Sequence, residues 1–266
     1  VAFAIPTEDN EMVVHSSTQN PTEVQHLVAH VLDVPQNAIE VVTRRMGGGF
    51  GGKETDSSQL ACVCAIFANQ TKLPIKARLS RKDDILMTGK RHDFKANYKV
   101  GYDDDGRILG IEVDLAARCG YSLDLSKAIV SRALFHADNA YFLPNATFRG
   151  FLCKTNTASN TAFRGFGGPQ GMLAIENIIE EIAMNIGVDP LETRQLNYYQ
   201  KETNNVTPYD QVVEDNIVNE LTTELIEDSQ YLARRESIKN FNKNNTYLKK
   251  GLAFSLKVLV LSLKKA

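Results

Sequence analysis

A chain of 266 residues, 43% of them hydrophobic, is long enough for one large domain or two modest ones and has ample apolar material for a core. Its 30 basic and 32 acidic side chains nearly cancel, so no global field draws it to nucleic acid or to an anionic membrane surface. No uninterrupted apolar run approaches the roughly 20 residues of a membrane helix, and residues 1–6 lack the basic start and cleavage site of a secretory signal, which predicts a cytoplasmic protein. Cys62, Cys64, Cys119 and Cys153 form no CxxC pair and have no histidine at ligand spacing, so they read as buried reduced thiols rather than zinc ligands. The chain opens without Met on the apolar VAFAIP, which reads as the interior of something longer.

Taken in order, residues 12–17 read as a short strand, and Gln19-Asn20-Pro21-Thr22 turns into a helix that Thr22 can cap, with Val24, Leu27, Val28 and Val31 at helical spacing. Gln19 then stands at a strand-to-helix turn. A β-branched run follows at residues 39–43, is broken by GGGFGG at 47–52, and gives way to an apolar helix over 58–69. Pro74 opens a further strand candidate, IKARLS. The segment HDFKANYKVGYDDDGRILGIEVDLAAR reads as two long strands joined at Asp104-Asp105-Gly106. NTASNTAFRGFGGPQG is polar and glycine-rich, and a helix over 172–186 ends at Gly187. Between 214 and 245 the pattern is helical and charged, with Leu221, Leu225, Tyr231 and Leu232 as the expected inner face. Long hairpins beside separate helices favour an α+β fold of mixed sheets and packed helices.

Gly47, Gly49 and Gly52 satisfy the spacing of a dinucleotide fingerprint between a strand and a helix, although no acidic ribose partner follows. Gly47, Gly52 and Lys53 also satisfy GxxxxGK, but Glu54 stands where a phosphate loop needs a hydroxyl for Mg²⁺. The content common to these readings is firmer: glycines admit positive φ and let main-chain N–H groups approach an anionic or metal-oxo ligand. A second loop over 163–171 repeats the arrangement, with an aromatic among its glycines and a helix after it. Phe50 and Phe166 are the two aromatics, and the loops read as two walls of one site.

SSTQNPTE, RMGGGFGGKE, SRALFHADNAY and CKTNTASNTAFRGFGGPQGM, in this order and spacing, resemble the molybdenum-cofactor part of molybdenum hydroxylases of the xanthine dehydrogenase type, from about residue 11 to about 251. The resemblance implies a molybdopterin cofactor that hydroxylates an electron-poor ring carbon, with electrons leaving through 2Fe-2S clusters and FAD on a partner domain or subunit. It also implies a cofactor-insertion chaperone and an oligomer of heterodimers. By the same resemblance, Gln19 hydrogen-bonds at the molybdenum centre, Phe50 and Arg164 lie against it, and Gly49 and Gly51 cradle the cofactor. Glu54 and Arg132 match a purine-orienting pair, and Phe166 the aromatic that packs on the ring. A carboxylate can bond ring nitrogens and a guanidinium can stabilise charge on a ring carbonyl oxygen, which favours xanthine or hypoxanthine over the aldehydes of relatives that lack both groups. His92 and His136 match no catalytic position and are read as structural.

Residues 1–250 are thus expected to be the first part of the cofactor-binding domain. Residues 251–266 form an aberrant tail: FSLKVLVLSLKKA departs from the Lys-Phe-Gly-Ile-Ser-Phe type strand of the family as a reading-frame slip would, with Leu261-Ser262 near the place of a Phe-Thr pair on the substrate pocket. The family's general-base glutamate has no counterpart among these residues, so the chain by itself is expected to be inactive. Two rival readings stand beside this one: a truncated, non-catalytic fragment that binds cofactor or a partner, and a nucleotide-binding oxidoreductase built on residues 47–52, which would have to bind NAD(P).

Overall fold

The computed structural model describes residues 1–254. They form two compact units: unit 1 comprises Val1–Lys95, Ala116–Arg132 and Gly150–Gly167, and unit 2 comprises Ala96–Leu115, Ala133–Arg149 and the described residues from Gly168 onward. Helices and mixed sheets together make the α+β fold that the sequence pattern predicts.

Unit 1 is built on a four-stranded sheet of β1 (Ala2–Pro6), β2 (Met12–Ser16), β3 (Ile39–Val42) and β4 (Ile75–Ala77), in the order β3-β2-β1-β4. β1 runs antiparallel to β2 and β4, whereas β2 and β3 are parallel and are joined through helix α1 (Pro21–Leu32). Alternation along the strands puts Ala2, Ala4, Met12 and Val14 on one face. Val24 and Val28 of α1 and Ala61, Cys64, Ala65 and Ala68 of α2 (Ser57–Thr71) pack on that face as one buried cluster. The small residues of α2 recur at i, i+3, i+4 and i+7, so the helix backbone can lie close to the strands.

The predicted cap of α1 shifts by two residues. Asn20, not Thr22, occupies the N-cap, its side chain accepting from Glu23 N at 3.2 Å. Pro21 takes the first helical position, where its missing N–H costs nothing. A short helix that hydrophobic periodicity does not reveal, α3 (Arg81–Met87), follows β4 and is capped by Ser80.

The predicted hairpin is present as β5 (Phe94–Tyr102) and β6 (Ile108–Gly120), closed by a turn in which Gly106 takes φ +90 and Asp103 Oδ1 accepts from Arg107 N at 2.8 Å. Beyond helix α4 (Ser126–Phe135), strand β7 (Ala146–Lys154) completes a three-stranded sheet of order β5-β6-β7.

In unit 2, α5 (Gly168–Ile186) buries Met172, Ile175, Ile178, Ile179, Ile182 and Ala183 as one stripe and ends at Gly187, whose N–H returns to Ala183 O. Asp189 caps α6 (Pro190–Asn197). The charged segment that follows divides into α7 (Val218–Asp228) and α8 (Tyr231–Asn244), broken at Gln230 with φ +51. Its expected inner face is largely wrong. Tyr231 and Thr222 are buried, but Leu221, Leu225 and Leu232 are exposed: α7 turns Thr222 inward in place of its leucines, and the break at Gln230 starts a new helix whose buried residue is Tyr231.

Cys64 and Cys119 are buried and Cys62 is half-buried, whereas Cys153, on the exposed end of edge strand β7, corrects the expectation of four buried thiols. No helix among the described residues is long and apolar enough to cross a membrane. The expectations for Val258, Leu259, Val260 and Leu261-Ser262 lie outside the described residues.

Candidate functional site

All of the predicted site residues, Gln19, Gly49, Phe50, Gly51, Glu54, Arg132, Arg164 and Phe166, belong to unit 1. The turn from β2 to α1 is stitched to the first glycine loop. Gln19 N donates to Lys53 O (2.8 Å), Thr18 Oγ1 to the same carbonyl (3.2 Å), and Ser17 Oγ to Met46 O (2.8 Å). The side chain of Gln19 lies so close over Gly49 that a Cβ at that position would stand 2.4 Å from its Oε1. Oε1 accepts from Gly51 N at 2.8 Å and from Lys53 N at 3.3 Å. Two main-chain donors therefore fix which way the amide faces, and Nε2, bonded to nothing among the described residues, is the group left to meet a ligand acceptor.

Lys53 is not a phosphate lysine. Its Nζ donates to Ser17 Oγ (2.8 Å) and Met46 O (2.6 Å), which clasps the loop and uses the charge internally. The dinucleotide reading fails on geometry as well. β3 is an edge strand, and α2 starts only at Ser57, so no glycine of the loop opens the helix as a pyrophosphate site requires.

Both loop aromatics adopt positive φ, +51 at Phe50 and +47 at Phe166, each beside glycines with φ between +95 and +99. Bulky residues rarely take this conformation, because Cβ crowds the carbonyl oxygen, and where they do the surroundings hold them there. The two loops meet along their backbones: Arg164 N donates to Phe50 O at 2.8 Å. A Cβ at Gly51 would come within 3.0 Å of the Ala162 carbonyl and 3.1 Å of Phe163 Cα, so this approach is open to glycine alone. Phe166 N turns back to Phe163 O, and Glu54 N to Gly51 O at 3.1 Å.

Glu54 is half-buried, and its carboxylate has no partner among the described residues. Arg132, in the last turn of α4, is half-buried as well; its Nε is enclosed and donates to no acceptor among the described residues. The structure therefore joins Gln19, Gly49, Phe50, Gly51 and Arg164 by direct contact and sets Glu54 and Phe166 on the turns that continue the loops. No bond among the described residues links Arg132 to either loop. Sequence reasoning missed the Lys53 clasp, for which the GK pair was a signal read toward phosphate, and it missed Arg91, whose Nη2 donates to Arg164 O at 2.7 Å.

Residues 1–198 match the family described as "Molybdopterin cofactor-binding domain". The chain is 44% identical over 251 residues to a xanthine dehydrogenase of Dictyostelium discoideum, with 94% of this chain and 18% of that protein covered. It is 45% identical over 251 residues to rat xanthine dehydrogenase/oxidase, covering 94% of this chain and 19% of that protein. To a nicotinate hydroxylase of Emericella nidulans it is 42% identical over 254 residues, covering 95% and 19%. The chain thus spans under a fifth of the length of these relatives. Among solved structures, quinoline 2-oxidoreductase of Pseudomonas putida 86 superposes with a TM-score of 0.81 at 22% identity over 91% of this chain and 31% of its own. The aldehyde oxidoreductase of Desulfovibrio gigas superposes with 0.75 at 26% identity over 92% and 26%.

Proposed function

The chain belongs to the family of molybdopterin cofactor-binding domains, and from that premise we propose that residues 1–250 form the first part of the cofactor-cradling domain of a molybdenum hydroxylase acting on a purine such as xanthine or hypoxanthine. The observation that carries this reading is the lodging of Gln19 on Gly49, with Oε1 held by loop N–H groups and Nε2 turned free. A compact, oxygen-rich centre needs oriented donors, and the Gln19 amide N–H, held in place by the loop, is one. The residues fit the group. When bound, the molybdopterin centre supplies the two-electron oxidation that hydroxylates an electron-poor ring carbon.

The chain's own residues bind and orient. Gln19 Nε2 donates to an acceptor of the centre, while Phe50 and Arg164, on loops braced against each other, close the cradle. Glu54 accepts from a ring N–H of the purine. Arg132 donates to a ring carbonyl oxygen, where a guanidinium stabilises the negative charge that grows as the ring is attacked. Its enclosed Nε without an acceptor supports this role, since a buried donor left unpaired costs about 1–3 kcal/mol. Phe166 packs on the ring plane. None of these residues is a general base; the resemblance assigns that carboxylate to a part of the family that this chain does not cover. The resemblance would place the electron acceptors, iron-sulfur and FAD groups, on a partner domain or subunit, and would give cofactor insertion to a chaperone.

The 42% identity to a nicotinate hydroxylase favours one alternative substrate class, a pyridine carboxylate. Arg132 could pair with that carboxylate, but Glu54 would then face an acceptor and no ring N–H, so the purine suits both charged groups better. An aldehyde uses neither.

The test is molybdenum per chain and dye reduction with xanthine, nicotinate and benzaldehyde. It uses the chain together with its natural flanking sequence and the iron-sulfur and flavin partner, in a host that makes molybdopterin. Xanthine is expected to be the best substrate, with Glu54→Gln and Arg132→Met each lowering its kcat/KM by about 100-fold at undiminished metal content. Preparations that stay free of molybdenum under these conditions would sink the reading.

A further inference from the structure

Residues 89–93, Gly-Lys-Arg-His-Asp, lie between α3 and β5 and bind a different part of the unit 1 framework at each step. Gly89 N donates to Asp56 Oδ2 (2.8 Å) at the foot of α2, in a space so tight that a Cβ would stand 2.5 Å from Ser159 O. Lys90 O accepts from Thr161 N (3.0 Å), on the stem of the second glycine loop. Arg91 Nη2 donates to Arg164 O (2.7 Å), and its guanidinium lies over the Phe163 ring, 4.7 Å from the centroid. His92 Nε2 pairs with Ser126 Oγ (2.7 Å) in the first turn of α4, the helix that carries Arg132. Asp93 Oδ1 accepts from Arg118 Nε (2.8 Å) on β6.

We infer that this segment is a strap and that Arg91 is the positioning residue of the second glycine loop. The loop has few anchors of its own. Phe163 and Arg164 are exposed, and the main-chain bonds that order them are Arg164 N to Phe50 O and Phe166 N to Phe163 O. Arg91 grips the loop from its other side at two points, a charge-assisted bond to the Arg164 carbonyl and a cation–π contact with Phe163. By holding Arg164 O while Phe50 O holds Arg164 N, it sets the spacing of the two loops and hence the placement of Arg164 and Phe166. Only a planar guanidinium can donate along its edge and stack through its face at once; a lysine ammonium makes one such contact well and the other weakly. Arg91 Nη1 is enclosed and donates to nothing among the described residues, so the hydrogen bond of this guanidinium is the one to the loop.

The effect on turnover rests on the proposed hydroxylase reading, whereas the strap itself does not, and two readouts separate them. Arg91→Met and Arg91→Lys are made in the cofactor-loaded protein with its natural flanking sequence. Amide hydrogen exchange is followed at Arg164 and Phe166, with the β1 and β2 amides as the internal reference, alongside molybdenum content, kcat and KM for xanthine. Arg91→Met is expected to speed exchange at Arg164 and Phe166 by about tenfold with the β1 and β2 amides unmoved, and to lower kcat by a similar factor at unchanged metal content. Arg91→Lys should recover part of both. Equal protection at Arg164 in wild type and Arg91→Met overturns the inference, as does a loss of protection that extends through β1 and β2, which would make Arg91 a general stabiliser. Faster exchange in a protein whose wild type does not turn over xanthine leaves the strap standing and removes the hydroxylase reading.

Discussion

Replacing Gly51 by alanine should open the two glycine loops, because this one position combines a forbidden conformation with a backbone clash. Its φ of +95 lies where an L side chain is strained by about 1–2 kcal/mol. Its Cβ would also press on the Ala162 carbonyl and Phe163 Cα at 3.0–3.1 Å, and these main-chain atoms cannot swing aside. Relief requires the loops to part, which lengthens the 2.8 Å bond from Arg164 N to Phe50 O and forfeits about 1 kcal/mol more. A local loss of about 2–3 kcal/mol corresponds to roughly 30- to 150-fold faster exchange of the Arg164 amide. The same loop supplies both controls. At Gly47, φ is +82 but nothing lies within 4 Å of the added methyl, so Gly47→Ala carries strain without a clash and should leave the Arg164 amide unmoved. At Gly49 the atoms nearest the methyl are those of the Gln19 side chain, which can give way; Gly49→Ala should free the Gly51 and Lys53 amides from Oε1 and spare Arg164. If Gly47→Ala accelerates the Arg164 amide as much as Gly51→Ala does, close approach of the loops is not what glycine provides here, and the reasoning fails.

Two further predictions concern unit 2. Arg194 is buried and donates to Glu176 (2.9 Å) and Glu180 (2.8 Å), and Glu176 also accepts from Tyr141 (2.6 Å) and Asn139 (2.9 Å). Arg194→Met leaves the Glu176 carboxylate enclosed without its cation and should cost about 3–5 kcal/mol in urea unfolding; a cost under about 1 kcal/mol would mean that Tyr141 and Asn139 suffice. Asp138 is buried, and desolvation pushes its carboxyl up to about 6 from 3.8, against the opposing effect of the Tyr199 hydroxyl at 2.6 Å. The folded state therefore holds this proton more tightly than the unfolded chain does. Its contribution is complete below pH of about 4 and is lost as the pH rises through about 6, roughly 3 kcal/mol over that window. Asp138→Asn, which cannot ionise, should remove this part of the slope of stability against pH between 4 and 7, read by calorimetry; an unchanged slope contradicts the assignment.

The elements with a strong local period were legible. The apolar stripe of α5, the hairpin turn at Gly106 and the alternation of β2 each follow from residues near in sequence, and the expected positive φ of the glycine loops is found at Gly47, Gly51, Gly165 and Gly167. Periodicity does not register a break such as Gln230, where an ordinary residue adopts φ +51, and it favours apolar residues for the inner face, whereas on α7 the polar Thr222 is buried and Leu221 and Leu225 are exposed. Short α3 and α6 are capped by Ser80 and Asp189, and neither is long enough to show a strong apolar period.

The same limit applies at the site. Gln19, Phe50 and Arg164 stand far apart in the chain, and what gathers them is a set of main-chain contacts with no residue signature of their own: Arg164 N on Phe50 O, Gln19 N on Lys53 O, Lys53 Nζ on Met46 O. A pattern of glycines marks where such contacts can occur but not which chain segment approaches. Lys53 and Arg91 illustrate this from opposite sides. Lys53 sits in a phosphate-loop pattern, yet it spends its charge on Ser17 and Met46, and Arg91 sits in no pattern at all, yet it holds the loop that carries Arg164. The charge of a side chain tells only that it must find an acceptor; whether that acceptor is a ligand or a neighbouring carbonyl is decided by the backbone that folds around it. Lys53 and Arg91 spend their charge on holding the glycine loops. The Glu54 carboxylate, the Gln19 amide N–H and Arg132 Nε have no partner among the described residues, and these are groups the proposed chemistry needs.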